Sequence, residues 1–196
     1  MPLLIGANRD EAVYPLTLGR ALPAPGDDAA LLREIARFAT GDAEALLAQA
    51  RASRPGASRQ ALLVAAVTEH WMGRPARLLA QRKAASGRAP VFLYDFAWKT
   101  PCFGGNWAIH GIEIPFVFGN LDYRFAWDGN DTPAIRAAAD ARGERFRLKD
   151  ATIAFWTQFA RTGSPARPAA WPPFAEAHPA RMVLDGRGGT VEESKI

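Results

Sequence analysis

The chain has 196 residues, 48% of them hydrophobic and 10% aromatic, with six Trp and eleven Phe. That composition builds one globular domain with a real core and excludes a disordered tail or low-complexity linker. The formal charge is +4, from 24 Lys and Arg against 20 Asp and Glu, yet only four of the cations are lysines and none cluster, so nothing indicates a nucleic-acid surface.

PLLIG (2–6) reads as a short strand, followed at once by the polar turn NRDE. A core strand at the very start of a chain is unusual, since chain ends are normally solvated, and it suggests that a longer protein precedes it. MPLLIGANRDE reaches polar residues too soon for a secretory leader, and no apolar run is long enough to span a bilayer. No membrane contact is therefore expected, and the compartment stays open with the cytoplasm as default.

Residues 15–30 are loop, carrying Pro15, Gly19, Pro23, Pro25 and Gly26. Asp27 or Asp28 can cap a helix over 29–39, in which Leu31, Leu32, Ile35 and Phe38 recur at near-helical spacing. A second short helix is predicted from Asp42 to Ala50. Ser58 can cap a stronger one, with Leu62, Leu63, Ala66, Val67 and Trp71 on one side. Beyond Gly73–Pro75 the pattern resumes through Leu78, Leu79 and Arg82 to Ser86–Gly87, giving two segments or one kinked helix.

VFLYDFAW (91–98) is the clearest strand, apolar enough to be covered on both faces. A long loop, TPCFGGNWA, follows. A last helix starts at Lys149 or Asp150 and closes at Thr162–Gly163, and RMVLDG (181–186) adds a short edge strand. The alternation of strands and helices specifies an α/β fold. Two strong strands are too few to bury these helices, so the sheet is expected to be incomplete.

Three histidines are present. His70 reads as a helix-flank residue and His178 as a solvated tail residue. His110 lies in a loop past a strong strand, with Gly111 behind it, which is where α/β proteins present reactive groups; the alternative is a hydrogen-bonded structural role. Glu11 ends PLLIGANRDE in the same manner, with a solvated turn acid as its alternative reading and Asp10 beside it. Together they suggest an orienter–base pair, in which the carboxylate fixes the ring tautomer and the other ring nitrogen accepts a proton. Cys102, the single cysteine, allows no internal disulfide and reads as a small apolar filler, with a nucleophilic role as the remote alternative. No metal site and no cofactor motif is apparent.

LLIGANRDEAVYP resembles the catalytic-acid segment of the type-B carboxylesterases, the cholinesterase-like and para-nitrobenzyl-esterase-like branch of the α/β-hydrolases. HGIEIPFVFGNLD resembles their histidine segment. VTEHWMGRPARLLAQ is similar to the helix between the two, and ATIAFWTQFARTGSP to the helix that ends these enzymes. The resemblance implies an ester hydrolase fold in which Glu11 is the triad acid, His110 the triad histidine and Glu113 a supporting acid. Acid precedes histidine by 99 residues, in the order of that fold. Phe103, Trp107 and Phe116 become candidate pocket-wall residues. Trp107 stands where the family has a small residue, so its indole either narrows the pocket or covers the loop.

None of the five serines (Ser53, Ser58, Ser86, Ser164 and Ser194) sits in a G-x-S-x-G elbow, and neither glycine pair lies upstream of Glu11 to form an oxyanion loop. The resemblance therefore makes residues 1–196 the C-terminal portion of a carboxylesterase domain: an incomplete sheet with covering helices, supplying acid and histidine without the nucleophile. It implies a small-molecule ester substrate, an upstream half of the same enzyme as partner, and a tendency to self-associate alone. The alternative is a non-catalytic cholinesterase-like interaction domain.

Overall fold

The computed structural model describes residues 1–122, 131–167 and 170–193. Its strands are β1 (Leu3–Asn8), β2 (Val91–Phe96), β3 (Thr100–Cys102), β4 (Gly105–Trp107), β5 (Ala180–Leu184) and β6 (Thr190–Glu193). Four of them form an open sheet in the order β1-β2-β5-β6, and β3 and β4 make a separate hairpin. β1, β2 and β5 run parallel, with Asn8 beside Phe96 and Tyr94 beside Met182; β6 returns antiparallel on β5.

The helices are α1 (Val13–Leu16), α2 (Asp28–Phe38), α3 (Ala43–Ser53), α4 (Arg59–Thr68), α5 (Arg74–Ala85), α6 (Ile114–Val117), α7 (Pro133–Ala139) and α8 (Glu144–Thr162). Alternation along the strands sorts them onto two faces. Phe92, Phe96, Met182 and Leu184 join the main core, where Phe155, Trp156 and Phe159 of α8 and the fully buried Trp171 pack. Val91 and Leu93 point the other way, onto Ala80 of α5 and Phe174. The α/β class expected from the sequence is thus observed, as an unclosed mixed sheet covered by helices.

Local chemistry accounts for most boundaries. Asp27, Asp42 and Ser58 cap α2, α3 and α4 by accepting backbone N–H groups through their side chains. The helical run from Arg59 to Ala85 does not break at Gly73–Pro75. A π-helical turn over Glu69–Gly73 joins α4 to α5, and Pro75 occupies a first-turn position of α5 where a missing N–H costs nothing.

Four expectations need correction. α8 begins at Glu144, five residues before Lys149, because the Asp140 carboxylate accepts the N–H groups of Glu144 (2.8 Å) and Arg145 (3.0 Å) from outside the helix. The segment 181–186 is not an edge strand: β5 lies between β2 and β6, and the polar TVEE forms the edge. The loop 100–108 contains the β3–β4 hairpin, turned by Phe103 and Gly104 at φ +51° and +74°. α7 was not foreseen at all.

Candidate active site

β1 ends at Asn8, and the chain turns through Arg9–Ala12 directly above the end of β2, with the Arg9 N–H donating to the Phe96 carbonyl at 2.9 Å. This turn carries Glu11, which is buried. One carboxylate oxygen, Oε1, accepts the Asn8 N–H at 2.7 Å, and the other, Oε2, lies 2.6 Å from Nδ1 of His110. The imidazole arrives from the loop between the β3–β4 hairpin and α6. Gly111 follows it at φ +77°, a left-handed conformation that lets the chain reverse at once into α6.

The His110 side chain is 54% exposed, against 11% for Glu11. With Glu11 ionised its carboxylate only accepts, an arrangement that calls for the proton on Nδ1 and leaves Nε2 as an acceptor. Tyr14 stacks nearby, its ring centroid 6.3 Å from that of His110 at an interplanar angle of 26°. Glu113 stands at the residue before α6, where its side chain makes no capping bond and instead accepts from the Asn8 side-chain amide, which also donates to the Ile109 carbonyl at 2.8 Å. Glu11, His110 and Glu113 are therefore assembled at the carboxyl ends of adjacent parallel strands.

The aromatic residues behave differently. Phe116 is buried, with its ring 5.2 Å from that of Phe96 and 6.0 Å from that of Trp98. Trp107 is buried too, and its indole lies back along its own strand so closely that a Cβ on Gly105 would meet Nε1 at 2.4 Å. In this chain the indole covers its own loop. Phe103 packs at the margin of the main core.

Two residues that sequence reasoning undervalued hold this arrangement. Asp10 is fully buried rather than solvated, and Asn8 links the acid turn to the histidine loop. Among the described residues no group of three or more His, Cys, Asp or Glu could hold a metal ion, and no helix is long and apolar enough to cross a membrane.

Burial pushes the Glu11 carboxyl above the ordinary glutamate range, against the opposing pull of the Asn8 N–H and of His110. Burial, with the negative charges of Glu113 and Glu11, likewise pushes the Tyr94 phenol up. A raised Glu11 means that the folded chain holds this proton more tightly than the unfolded one. The resulting stabilisation is present below the ordinary value of about 4.3 and is lost as pH rises through the raised one. Glu11→Gln is thus expected to melt above the parent at neutral pH, with the gap closing as pH falls toward that value. Thermal unfolding across pH measures this, and a parent more stable at neutral pH would refute it.

A model of the carboxylesterase family matches residues 2–194. The chain is 36% identical over 122 residues to the para-nitrobenzyl esterase of Bacillus subtilis, covering 61% of this chain and 22% of that protein. It is 28% identical to the phenmedipham hydrolase of Pseudarthrobacter oxydans, covering 96% of this chain and 36% of that enzyme. Among solved structures, a carboxylesterase of Geobacillus stearothermophilus superposes with a TM-score of 0.72 at 26% identity, covering 98% of this chain and 38% of its own. The chain thus spans between 22% and 38% of the length of these relatives.

Proposed function

We propose, from the premise that this chain belongs to the carboxylesterase family, that it supplies the acid and the base of an ester hydrolase and corresponds to the C-terminal portion of such an enzyme. The observation that carries the proposal is the 2.6 Å contact between Glu11 Oε2 and His110 Nδ1, with the other edge of the ring left open. In this reading a serine hydroxyl, which the rest of the enzyme provides, attacks the ester carbonyl while Nε2 of His110 takes its proton. His110 then protonates the departing alcohol and activates the water that clears the acyl-enzyme. Glu11 stays ionised throughout and holds the ring.

The surroundings support a surface made to be covered. β1 has β2 as its only strand partner among the described residues. Between the sheet and helices α3 to α5 lies a groove of about 760 Å³, where small residues such as Gly6, Ala7 and Ala65 alternate with charged ones such as Arg54, Arg77 and Asp95. Close to His110 in sequence, Ile114 and Phe118 are 53% and 79% exposed, an arrangement that favours burial against another part of the protein. We assign the groove and this apolar rim to contact with the serine-bearing portion. The wall roles of Phe103, Trp107 and Phe116 belong to the same proposal, with Phe116 and Trp107 acting from beneath the surface.

A chimera tests the reading. The 196 residues replace the corresponding part of the Bacillus subtilis para-nitrobenzyl esterase, and the folded product is assayed on a short-chain para-nitrophenyl ester. Hydrolysis that depends on His110 is expected. A folded chimera with an intact serine elbow and no turnover would overturn the proposal.

A further inference from the structure

The Glu11–His110 contact joins two loops that are distant in sequence, and neither residue by itself fixes how those loops meet. Asp10 does. Its N–H donates to the Ala108 carbonyl and its Oδ2 accepts the Ala108 N–H, both at 2.9 Å, so the two loops grip each other in both directions one residue before Glu11 and two before His110. The other carboxylate oxygen, Oδ1, is 2.7 Å from Nη1 of Arg54, at the end of α3. Nη2 of the same guanidinium donates to the Arg9 carbonyl at 2.6 Å. One planar fork therefore holds both the side chain of Asp10 and the backbone before it, a geometry that the single ammonium of a lysine does not reproduce.

This arrangement is costly for a structural staple. Asp10 is fully buried, and a buried ion pair is commonly no more stabilising than well-packed apolar residues of similar volume. What it supplies is direction. An apolar contact would let the loops slide by an ångström, and a slip of that size in a catalytic group can cost about a hundredfold in rate. The hydrogen bonds from Asp10 permit one register only.

We propose that Arg54 and Asp10 are positioning residues that set the approach of His110 to Glu11. This rests on the reading of that pair as orienting acid and base. Arg54 touches neither of them. It holds Asp10, Asp10 holds Ala108, and the backbone from Ala108 to His110 then brings Nδ1 onto Oε2.

The ¹⁵N spectrum of the histidine rings in the 196-residue chain tests the clamp, with His110→Ala identifying the His110 signals among the three histidines. At a pH where the ring is neutral, the parent is expected to show a protonated Nδ1 and an unprotonated Nε2. Glu11→Gln should abolish that pattern. Arg54→Gln should replace it with exchange-averaged shifts for the two nitrogens while circular dichroism stays that of the parent, and Arg54→Lys should restore it only in part. Asp10→Asn, nearly isosteric and still able to accept from Ala108, provides the same reading should Arg54→Gln fail to fold. A parent pattern retained in the folded Arg54 and Asp10 variants would overturn the clamp and leave the acid–base reading standing. A parent with no protonated Nδ1 would overturn that reading and the clamp with it.

Discussion

His110→Ala in the esterase chimera is expected to lower kcat by about 10⁶-fold, close to 8 kcal/mol of transition-state stabilisation. The imidazole acts twice in each half of the cycle proposed here, taking a proton from the attacking oxygen and delivering one to the departing group, and alanine can do neither. Glu11→Gln should cost about 10⁴-fold. The glutamine side chain can still accept the Asn8 N–H, but its amide donates to Nδ1 and stabilises the wrong tautomer, with the proton on Nε2. KM should change little in either variant, because neither side chain is proposed to bind the ester in its ground state. Steady-state kinetics on a para-nitrophenyl ester measures both losses. Equal activity in parent and His110→Ala would remove the histidine from the mechanism.

Trp171→Ala should have the largest effect on stability. The indole is fully buried, edge-on to Phe155 at 5.2 Å and to Phe92 at 6.3 Å, so it ties α8 to the central strand β2 from outside both elements. Removing it leaves a large cavity that the neighbouring rings cannot close, at a cost of about 3–5 kcal/mol. Against a typical total of about 5–15 kcal/mol, that is at least about a fifth of the stability of a domain. Urea unfolding should show a lowered midpoint with an unchanged slope, and Trp171→Phe, which keeps a ring in the site, should lose less. A loss below about 1 kcal/mol would mean that the tail containing Trp171 does not close over α8 in solution.

The parts of the fold that show in the sequence are those where one local signal suffices. β2 is a run of aromatic and branched residues, and α2 begins at an aspartate whose side chain meets the helix N-terminus. The parts that do not show depend on distant partners. TVEE is too polar to read as a strand until β5 lies beside it, and α8 starts early because of an aspartate outside its own boundaries. β3 and β4 are three residues each, too short for any periodicity.

The candidate site divides in the same manner. Glu11 and His110 could be singled out because each follows a strand end, and the four segments of family resemblance pointed to the same residues. Asp10 could not, because two adjacent acids in a turn usually mean solvent. Its burial is made tolerable by Arg54, which lies 44 residues away with no motif to announce it. Asn8 falls between these cases: its position at the end of a strand is visible, but its reach to Ile109 and Glu113 is a property of the folded loops.

The most direct test of the central claim is an assay of the purified 196-residue chain, alone, on a short-chain para-nitrophenyl ester, with His110→Ala beside it. The chain is proposed to hold the acid and the base without the nucleophile, so both proteins should give the same unsaturable background. Saturable turnover present in the parent and absent from His110→Ala would contradict the account, because a complete site would then exist within these residues.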